Sequence, residues 1–481
     1  MASVKEKTIN GLGWSFTDNL LSSGITFIVG LVLARLLTPS EFGILGMITV
    51  FIAISNSIID SGFSTALIRK NNVTTSDYNT VFYFNLLVGF TLFVVLYFSA
   101  PAISRFFKVQ ILIPVTRVMG FALIINSFSV IQKAILIKRV DFKTQTKISV
   151  IASLTSGIIG IGMAFKNFGV WSLVGQQLTR QLLNTVLLWT FNKWRPILTF
   201  SGESFKSLFG FGSKLLVSGL IDTIYTNVYY LVIGRFYRAD LLGQYTRAEL
   251  FGSLFSSNLT GIIQRVSFPI LSSIQDDTDM LKQAYRRMIK TTMFVTFTCM
   301  LGLAAIAKPL IVILIGEKWL TAAYYLQIIS IAGMLYPLHA MNLNILKVKG
   351  RSDLYLKLEI LKKLIAVLPI CLGIFIGIEV MLWGSVLVSF LAYFLNGHFS
   401  GQLIGYKLGD QIKDILPSFI ISFFMSGVIY LEGILFTMPL MLLLILQIFT
   451  GLLIIIGICE TRKFEDYLYI KKIVLEKFGK K

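Results

Sequence analysis

The sequence predicts an all-α polytopic membrane protein of about 14 transmembrane helices. They form two six-helix lobes in a parallel pseudo-two-fold repeat, plus two C-terminal helices. Three observations predict this. The 481 residues are 55% hydrophobic and only 14% charged, too apolar for a soluble chain. Apolar runs of about 20 residues, the length that crosses a bilayer, recur from end to end. And LVLARLLTPSEFG at 31–43 returns as LVIGRFYRADLLG at 231–243, with Leu31, Val32, Arg35 and Gly43 matching Leu231, Val232, Arg235 and Gly243.

The first run, 11–36, follows the basic MASVKEK. It is long, interrupted by polar residues and without an A-x-A cleavage site, so it reads as a retained helix rather than a signal peptide. The next runs are 41–62, 79–101, 111–137, 146–165 and 169–191, completing six. A second six follows at 207–233, 245–271, 290–316, 321–347, 355–376 and 379–405, and two more close the chain at 414–432 and 436–459. The expected organisation is an N-terminal lobe at 1–200, a C-terminal lobe at 201–412, two extra spans at 413–459 and a basic tail at 460–481. With the N-terminus cytoplasmic, twenty-eight Lys and Arg fall on the cytoplasmic side and eight on the other, and an even span count puts both termini there. The net charge of +20 is thus mostly topology, not a nucleic-acid surface. The longest loops, near 63–78 and 272–289, are cytoplasmic. The tail spaces Phe464, Leu468, Ile470 and Leu475 as an amphipathic helix lying on the membrane, or is a frayed basic end.

Six spans separate the two repeated segments, so they run in one direction, which makes the repeat parallel. A second echo pairs ILIKRVDF (135–142) with ILKVKGRSDL (345–354), setting Arg139 and Asp141 opposite Arg351 and Asp353 at an offset of 212. Two such lobes suit alternating access to a central cavity.

Polar residues inside the spans mark candidate sites. Ser15, Asp18, Ser22 and Thr26 share a face of the first helix; Lys214, Ser218, Asp222 and Thr226 share a face of the seventh. A charge at mid-bilayer costs about 2.5–3.5 kcal/mol on the insertion scale, so it faces a cavity or a partner. The acids either line a cavity or pair structurally with a neighbouring Lys or Arg. Arg117, Arg180 and Arg265 lie in the fourth, sixth and eighth spans, and Gln177, Arg180 and Asn184 share a face. Arginines at a cavity suit an anionic, phosphate-bearing cargo. Lys133 and Lys308, nearer span ends, read as snorkelling side chains.

Other patterns are discounted. GIIGIG (157–162) lies within a span and reads as close helix packing, not a dinucleotide motif. Asp277-Thr278-Asp279 reads as a solvated loop or helix cap rather than a metal site. Cys299, Cys371 and Cys459 read as apolar bulk. His339 follows Pro337, where a kink is expected; it reads as a packing histidine, as does His398. No metal, cofactor or catalytic constellation is expected, so the chain is read as a non-enzyme.

LVLARLLTPSEFGILGM, SFSVIQKAILIKRVDFK, NFGVWSLVGQQL, the long stretch from LFGFGSKLLV to YTRAELF, IIQRVSFPILSSIQDD and ILKVKGRSDLYLKL resemble the bacterial polysaccharide or O-antigen repeat-unit flippases. These belong to the multidrug/oligosaccharidyl-lipid/polysaccharide exporter superfamily, and the resemblance covers residues ~5–410. It implies an inner-membrane protein that moves undecaprenyl-diphosphate-linked oligosaccharides to the outer leaflet for surface polysaccharide, lipopolysaccharide or O-antigen export. Membrane lipids surround it, and a polysaccharide polymerase with chain-length machinery are candidate partners. Lys214, Arg265, Arg180 and Arg117 are then expected on the diphosphate. Asp18 and Asp222 are expected on lobe coupling or an H⁺ or Na⁺ ion, with Ser22, Thr26 and Thr226 along the sugar path. The alternatives are an ion-coupled drug or metabolite exporter of the same superfamily and a membrane-embedded polysaccharide polymerase or ligase.

Overall fold

A computed structural model of the chain describes residues 21–70 and 72–478. The described residues form helices and connecting turns, with no strand among them. The chain divides into two compact units, 1–243 and 244–481.

The first unit holds α1 (Leu21–Leu36), α2 (Pro39–Asp60), the short α3 (Phe63–Arg69), α4 (Thr75–Phe107), α5 (Leu112–Lys138), α6 (Phe142–Phe165), α7 (Val170–Phe191), α8 (Gly202–Thr226), α9 (Val228–Phe236) and the first turn of α10 (Ala239–Ser273). The expected seventh span, 207–233, is therefore two helices broken at Asn227, whose side-chain amide donates to the Thr223 carbonyl at 2.8 Å. α8 packs on α2, α3 and α4 within this unit. The expected loop at 63–78 is mostly helix: α3 and the start of α4 take it up. Its remainder is pinned by Lys70, which pairs with the fully buried Asp77 at 2.8 Å, and by Lys138, which donates to the Leu67 and Lys70 carbonyls.

The second unit contains the rest of α10, α11 (Thr278–Ala305), α12 (Ala307–Ile315), a 3-10 turn (Glu317–Trp319), α13 (Leu320–Gly333), α14 (Tyr336–Val348), α15 (Ser352–Ile376), α16 (Ile378–Ile404), α17 (Leu408–Leu435), α18 (Leu440–Thr461) and α19 (Glu465–Phe478). The expected loop 272–289 shrinks to the turn between Ser273 and Thr278, because α11 extends outward by three turns. Asp277 caps it, accepting from the backbone N–H of Asp279 and Met280. That is the capping role expected of it. Spans nine and ten break as well, at Ile306 and at Met334–Leu335, with Pro337 in the first turn of α14. Pro337 has no N–H to give, so it is tolerated there.

Ten stretches among the described residues are long and apolar enough to cross a membrane. The other expected spans are α1, with fewer described residues, α7 and α10, which are less apolar, and α15, which carries five charged residues. Apolar side chains such as Phe98, Phe375, Leu435 and Phe449 stand exposed on the helices, as a lipid-facing surface requires.

Both sequence echoes have a physical basis. A Cβ at Gly43 would stand 2.6 Å from the carbonyl carbon and 3.1 Å from the Cα of Ala239. A Cβ at Gly243 would stand at the same 2.6 and 3.1 Å from the carbonyl carbon and Cα of Pro39. The repeated glycines let the starts of α2 and α10 cross backbone to backbone, each against the other's first residue. The second echo is a turn built twice. After α5, the N–H groups of Arg139, Val140 and Asp141 donate to Ile135, Ile137 and Leu136. After α14, those of Lys349, Gly350 and Arg351 donate to Ile345, Lys347 and Leu346. This backbone register is 210, not 212. It sets Arg139 opposite Lys349 and Asp141 opposite Arg351, because hydrogen bonding, not side-chain identity, defines the turn. Lys349 donates to the Gln275 carbonyl at 2.7 Å, as Lys138 does to the loop of the first unit.

The tail is helical at α19: Phe464 meets Phe294 with ring centroids 5.5 Å apart, and Tyr467 and Ile470 pack on the same apolar cluster. Lys290 pairs with Glu465 at 3.1 Å, and Arg287 stacks 4.0 Å over Tyr469. Of the apolar stripe, Phe464 and Ile470 pack on this cluster, while Leu468 and Leu475 stay exposed.

Candidate functional site

The first unit holds a half-open cavity of about 460 Å³, walled among the described residues by α1, α5, α6 and α7. Small residues create the approach of these helices. A Cβ at Gly157 of α6 would stand 2.5 Å from Val29 of α1, and one at Gly160 would stand 2.8 Å from the Gln176 side chain of α7. GIIGIG is thus the packing seam expected of it.

α7 supplies most of the polar wall. Gln177, Arg180, Gln181 and Asn184 recur at helical spacing and line the cavity beside Gln176. α6 adds Gln145 and Ser149, α5 adds Lys133 and α1 adds Thr26. Among the described lining residues two are cationic, five carry amides and none is a carboxylate. The Gln145 Oε1 is buried and has no hydrogen-bond partner.

A polar brace holds this wall. The Gln181 amide donates to Asn126 Oδ1 at 2.9 Å, and Asn126 Nδ2 donates to Asn56 on α2 at 2.8 Å. Ser129 also donates to Asn126 Oδ1, at 3.1 Å. Further along, Trp189 Nε1 donates to the Phe128 carbonyl and Asn192 Nδ2 to the Gln132 carbonyl, both at 2.9 Å. These bonds fasten α7 to α5 and fix the direction in which its amides point.

Of the residues singled out from the sequence, the cavity gathers Thr26 and Arg180, together with Gln177 and Asn184. Ser22 supports Thr26, whose hydroxyl donates to the Ser22 carbonyl at 2.7 Å. Asp18 lies outside the described residues. Arg117 is elsewhere, its guanidinium 4.6 Å over the Tyr97 ring. Lys214, Asp222 and Thr226 lie on exposed faces of α8. The Thr226 hydroxyl donates to the Asp222 carbonyl. Arg265 is exposed in the second unit, its Nε donating to the Gly261 carbonyl at 3.1 Å. Lys133, read as snorkelling, is a lining residue. Sequence reasoning missed Gln145, Ser149, Gln176 and Gln181; the readable signal was the QQLTRQ run, which thins the apolar character of α7.

The second unit has a smaller cavity of about 270 Å³, lined by Lys308, Tyr324, Gln327, Tyr430 and Gln447 among others. His339 reaches Ser389 of α16 at 3.2 Å, as a packing histidine does. The described residues contain no group of His, Cys, Asp and Glu able to hold a metal ion, and the three cysteines are free.

Residues 32–324, more than half of the chain, match the family described as polysaccharide biosynthesis protein. The chain belongs to this family. The matched stretch contains every lining residue of the first cavity except Thr26. The chain is 27% identical to the teichuronic acid biosynthesis protein TuaB of Bacillus subtilis (strain 168) over 357 residues, 74% of either chain. It is 26% identical to the lipopolysaccharide biosynthesis protein WzxC of Escherichia coli (strain K12), over 77% of this chain and 76% of that one. Its fold matches the lipid II flippase MurJ in an inward closed conformation with a TM-score of 0.73 at 16% identity. That match covers 98% of this chain and 100% of MurJ. An inward-facing MATE family transporter of the MOP superfamily matches with a TM-score of 0.61 at 15% identity, over 79% of this chain and 95% of that one. The helical, multi-pass membrane fold expected from the sequence is therefore one it shares with these two solved structures.

Proposed function

We propose that the protein is a flippase that carries undecaprenyl-diphosphate-linked oligosaccharide repeat units across the bacterial inner membrane for surface polysaccharide export. The observation that carries this is the cavity of about 460 Å³ among apolar helices, whose wall includes Lys133, Arg180 and five amide side chains. Such a wall suits an anionic, hydroxyl-rich headgroup. The names of TuaB and WzxC and the shared fold of MurJ support the same cargo class. The repeat supports movement by alternating access of its two halves, with the polyprenyl tail left in lipid. Both termini are cytoplasmic in this reading, from the charge bias. Arg180 contacts the headgroup inside the cavity, Thr26 and Ser22 line its path, and Lys214, Arg265 and Arg117 guide the diphosphate. Asp18 and Asp222 serve lobe coupling or an H⁺ or Na⁺ ion, and Thr226 lies with Ser22 and Thr26 on the sugar path.

The test is mass spectrometry of polyprenyl-diphosphate lipids from cells lacking the gene, beside staining of surface polysaccharide. Accumulation of a complete lipid-linked repeat unit with loss of surface glycan is expected. An unchanged lipid pool with normal surface glycan refutes the proposal.

A further inference from the structure

We propose that the smaller cavity, in the second unit, is a site for the phosphodiester headgroup of an anionic membrane phospholipid. The proposal does not depend on the cargo. The space of about 270 Å³ lies among the end of α11 and helices α12, α13, α17 and α18. Small residues open it. Ala305, Ala323 and Gly433 stand on its wall, and a Cβ at Gly433 would lie 3.0 Å from Nε2 of Gln447. That nitrogen is already engaged, donating to the Ile429 carbonyl at 2.8 Å, so Gln447 ties α18 to α17. Four other polar side chains line the space: Lys308, Tyr324, Gln327 and Tyr430. None of the four has a hydrogen-bond or ion-pair partner among the described residues. Each can donate a hydrogen bond, and Lys308 adds one positive charge. Among the described lining residues none is a carboxylate; Glu432 of α17 is not one of them. Several donors around a single cation suit a ligand with acceptor oxygens and one negative charge, which is a phosphodiester.

Placement makes that phosphate a lipid's. The lining residues flank two turns, between α12 and α13 and between α17 and α18. The charge bias assigns both turns to the outer side of the membrane. Ile434 lines the cavity yet is 61% exposed, and Leu431, Leu435 and Leu442 of the same two helices also stand exposed. A soluble anion leaves this apolar surface bare. A phospholipid lays its acyl chains along it while the headgroup enters the cavity. The lysine that the sequence shows as snorkelling thus reaches toward a walled polar space. Net charge selects among lipids. Phosphatidylglycerol brings one negative charge and hydroxyls. Phosphatidylethanolamine brings an ammonium beside Lys308, with no described carboxylate on the wall to meet it.

The experiment uses the purified full-length protein. Native mass spectrometry counts tightly held lipids during titration with phosphatidylglycerol or phosphatidylethanolamine. Hydrogen–deuterium exchange in nanodiscs with and without phosphatidylglycerol locates them. Phosphatidylglycerol should be preferred about five-fold, the worth of one lysine at an anionic headgroup, and should protect the amides of the turns at 316–320 and 436–440. Lys308→Gln, at an exposed side chain, should remove one tightly held phosphatidylglycerol and that protection, whereas Lys308→Arg should keep both. Tyr430→Phe should weaken the lipid by a smaller factor. Lys166→Gln, exposed in the first unit, should leave the protection of both turns unchanged. Equal binding of the two lipids, no protection of the turns, or protection that persists in Lys308→Gln would each overturn the proposal. Displacement of phosphatidylglycerol by equimolar undecaprenyl phosphate would reassign the cavity to the carrier. Protection by inorganic phosphate alone would make it a soluble-anion site. Either result overturns the phospholipid assignment, and neither bears on the lipid pool of the deletion strain.

Discussion

Replacing Gly43 with alanine puts a methyl group where the structure has only backbone. The new Cβ would stand 2.6 Å from the Ala239 carbonyl carbon and 3.1 Å from its Cα, whereas carbon atoms rest at about 3.5–4.0 Å. One helix start must retreat by about 1 Å. No flexible side chain can absorb the shift, because the obstacle is main chain. Overpacking of this kind costs about 1–3 kcal/mol, and a rigid obstacle points to the upper part of that range. For a unit of this size each kcal/mol moves the melting temperature by about 2–4 °C, so Gly43→Ala should lower it by about 5–10 °C. Gly243→Ala should do the same, since its Cβ meets Pro39 at the same distances. The double variant should lose less than the sum, because both glycines serve one crossing. The assay is a thermal scan in nanodiscs at fixed scan rate, with Gly427→Ala as control. Gly427 sits in α17 with nothing within 4 Å of a Cβ, and alanine there should be neutral or mildly stabilising. If Gly43→Ala melts within about 1 °C of the wild type, the backbone crossing is not what the repeated glycine serves.

Three further predictions concern the wall and the tail. Asn126→Ala strips partners from Gln181, Asn56 and Ser129; it should cost about 1–3 kcal/mol, read in the same thermal scan, and reduce surface polysaccharide in complemented cells. Lys290→Ala removes the partner of Glu465, so the α19 amides should exchange faster with deuterium while those of α5 and α7 do not change. The hydrogen bond from Lys290 holds the Glu465 carboxyl below its ordinary value of 4.5, so its support for the docked tail is present above that value and is lost as pH falls through the depressed one. The protection of the α19 amides relative to their intrinsic exchange at each pH should therefore fall on acidification in the wild type, and fall less in Lys290→Ala.

Much of the membrane fold was legible because its cause is local. A helix crossing lipid must satisfy its own backbone and cover it with apolar side chains, so the spans announce themselves in composition. The repeated Arg35–Gly43 and Arg235–Gly243 stretches were visible because a backbone crossing tolerates only glycine. The Gln177–Arg180–Asn184 stripe was visible because one helix face recurs at a fixed period. The rest depends on neighbours that are distant in sequence. Arg117 and Arg180 look alike as intramembrane arginines, yet one stacks on Tyr97 and the other lines the cavity, because α4 covers the first and α6 leaves space beside the second. Lys133 resembles any snorkelling lysine until α6 brings Gln145 to the same space. The α19 stripe predicts an apolar contact but not whether lipid or Phe294 makes it. Period and composition therefore determined which segments are helices and where polar faces run, since those follow from residues one or two turns apart. Which polar face meets a cavity, and which is consumed by a ring or a brace, was decided only by tertiary packing.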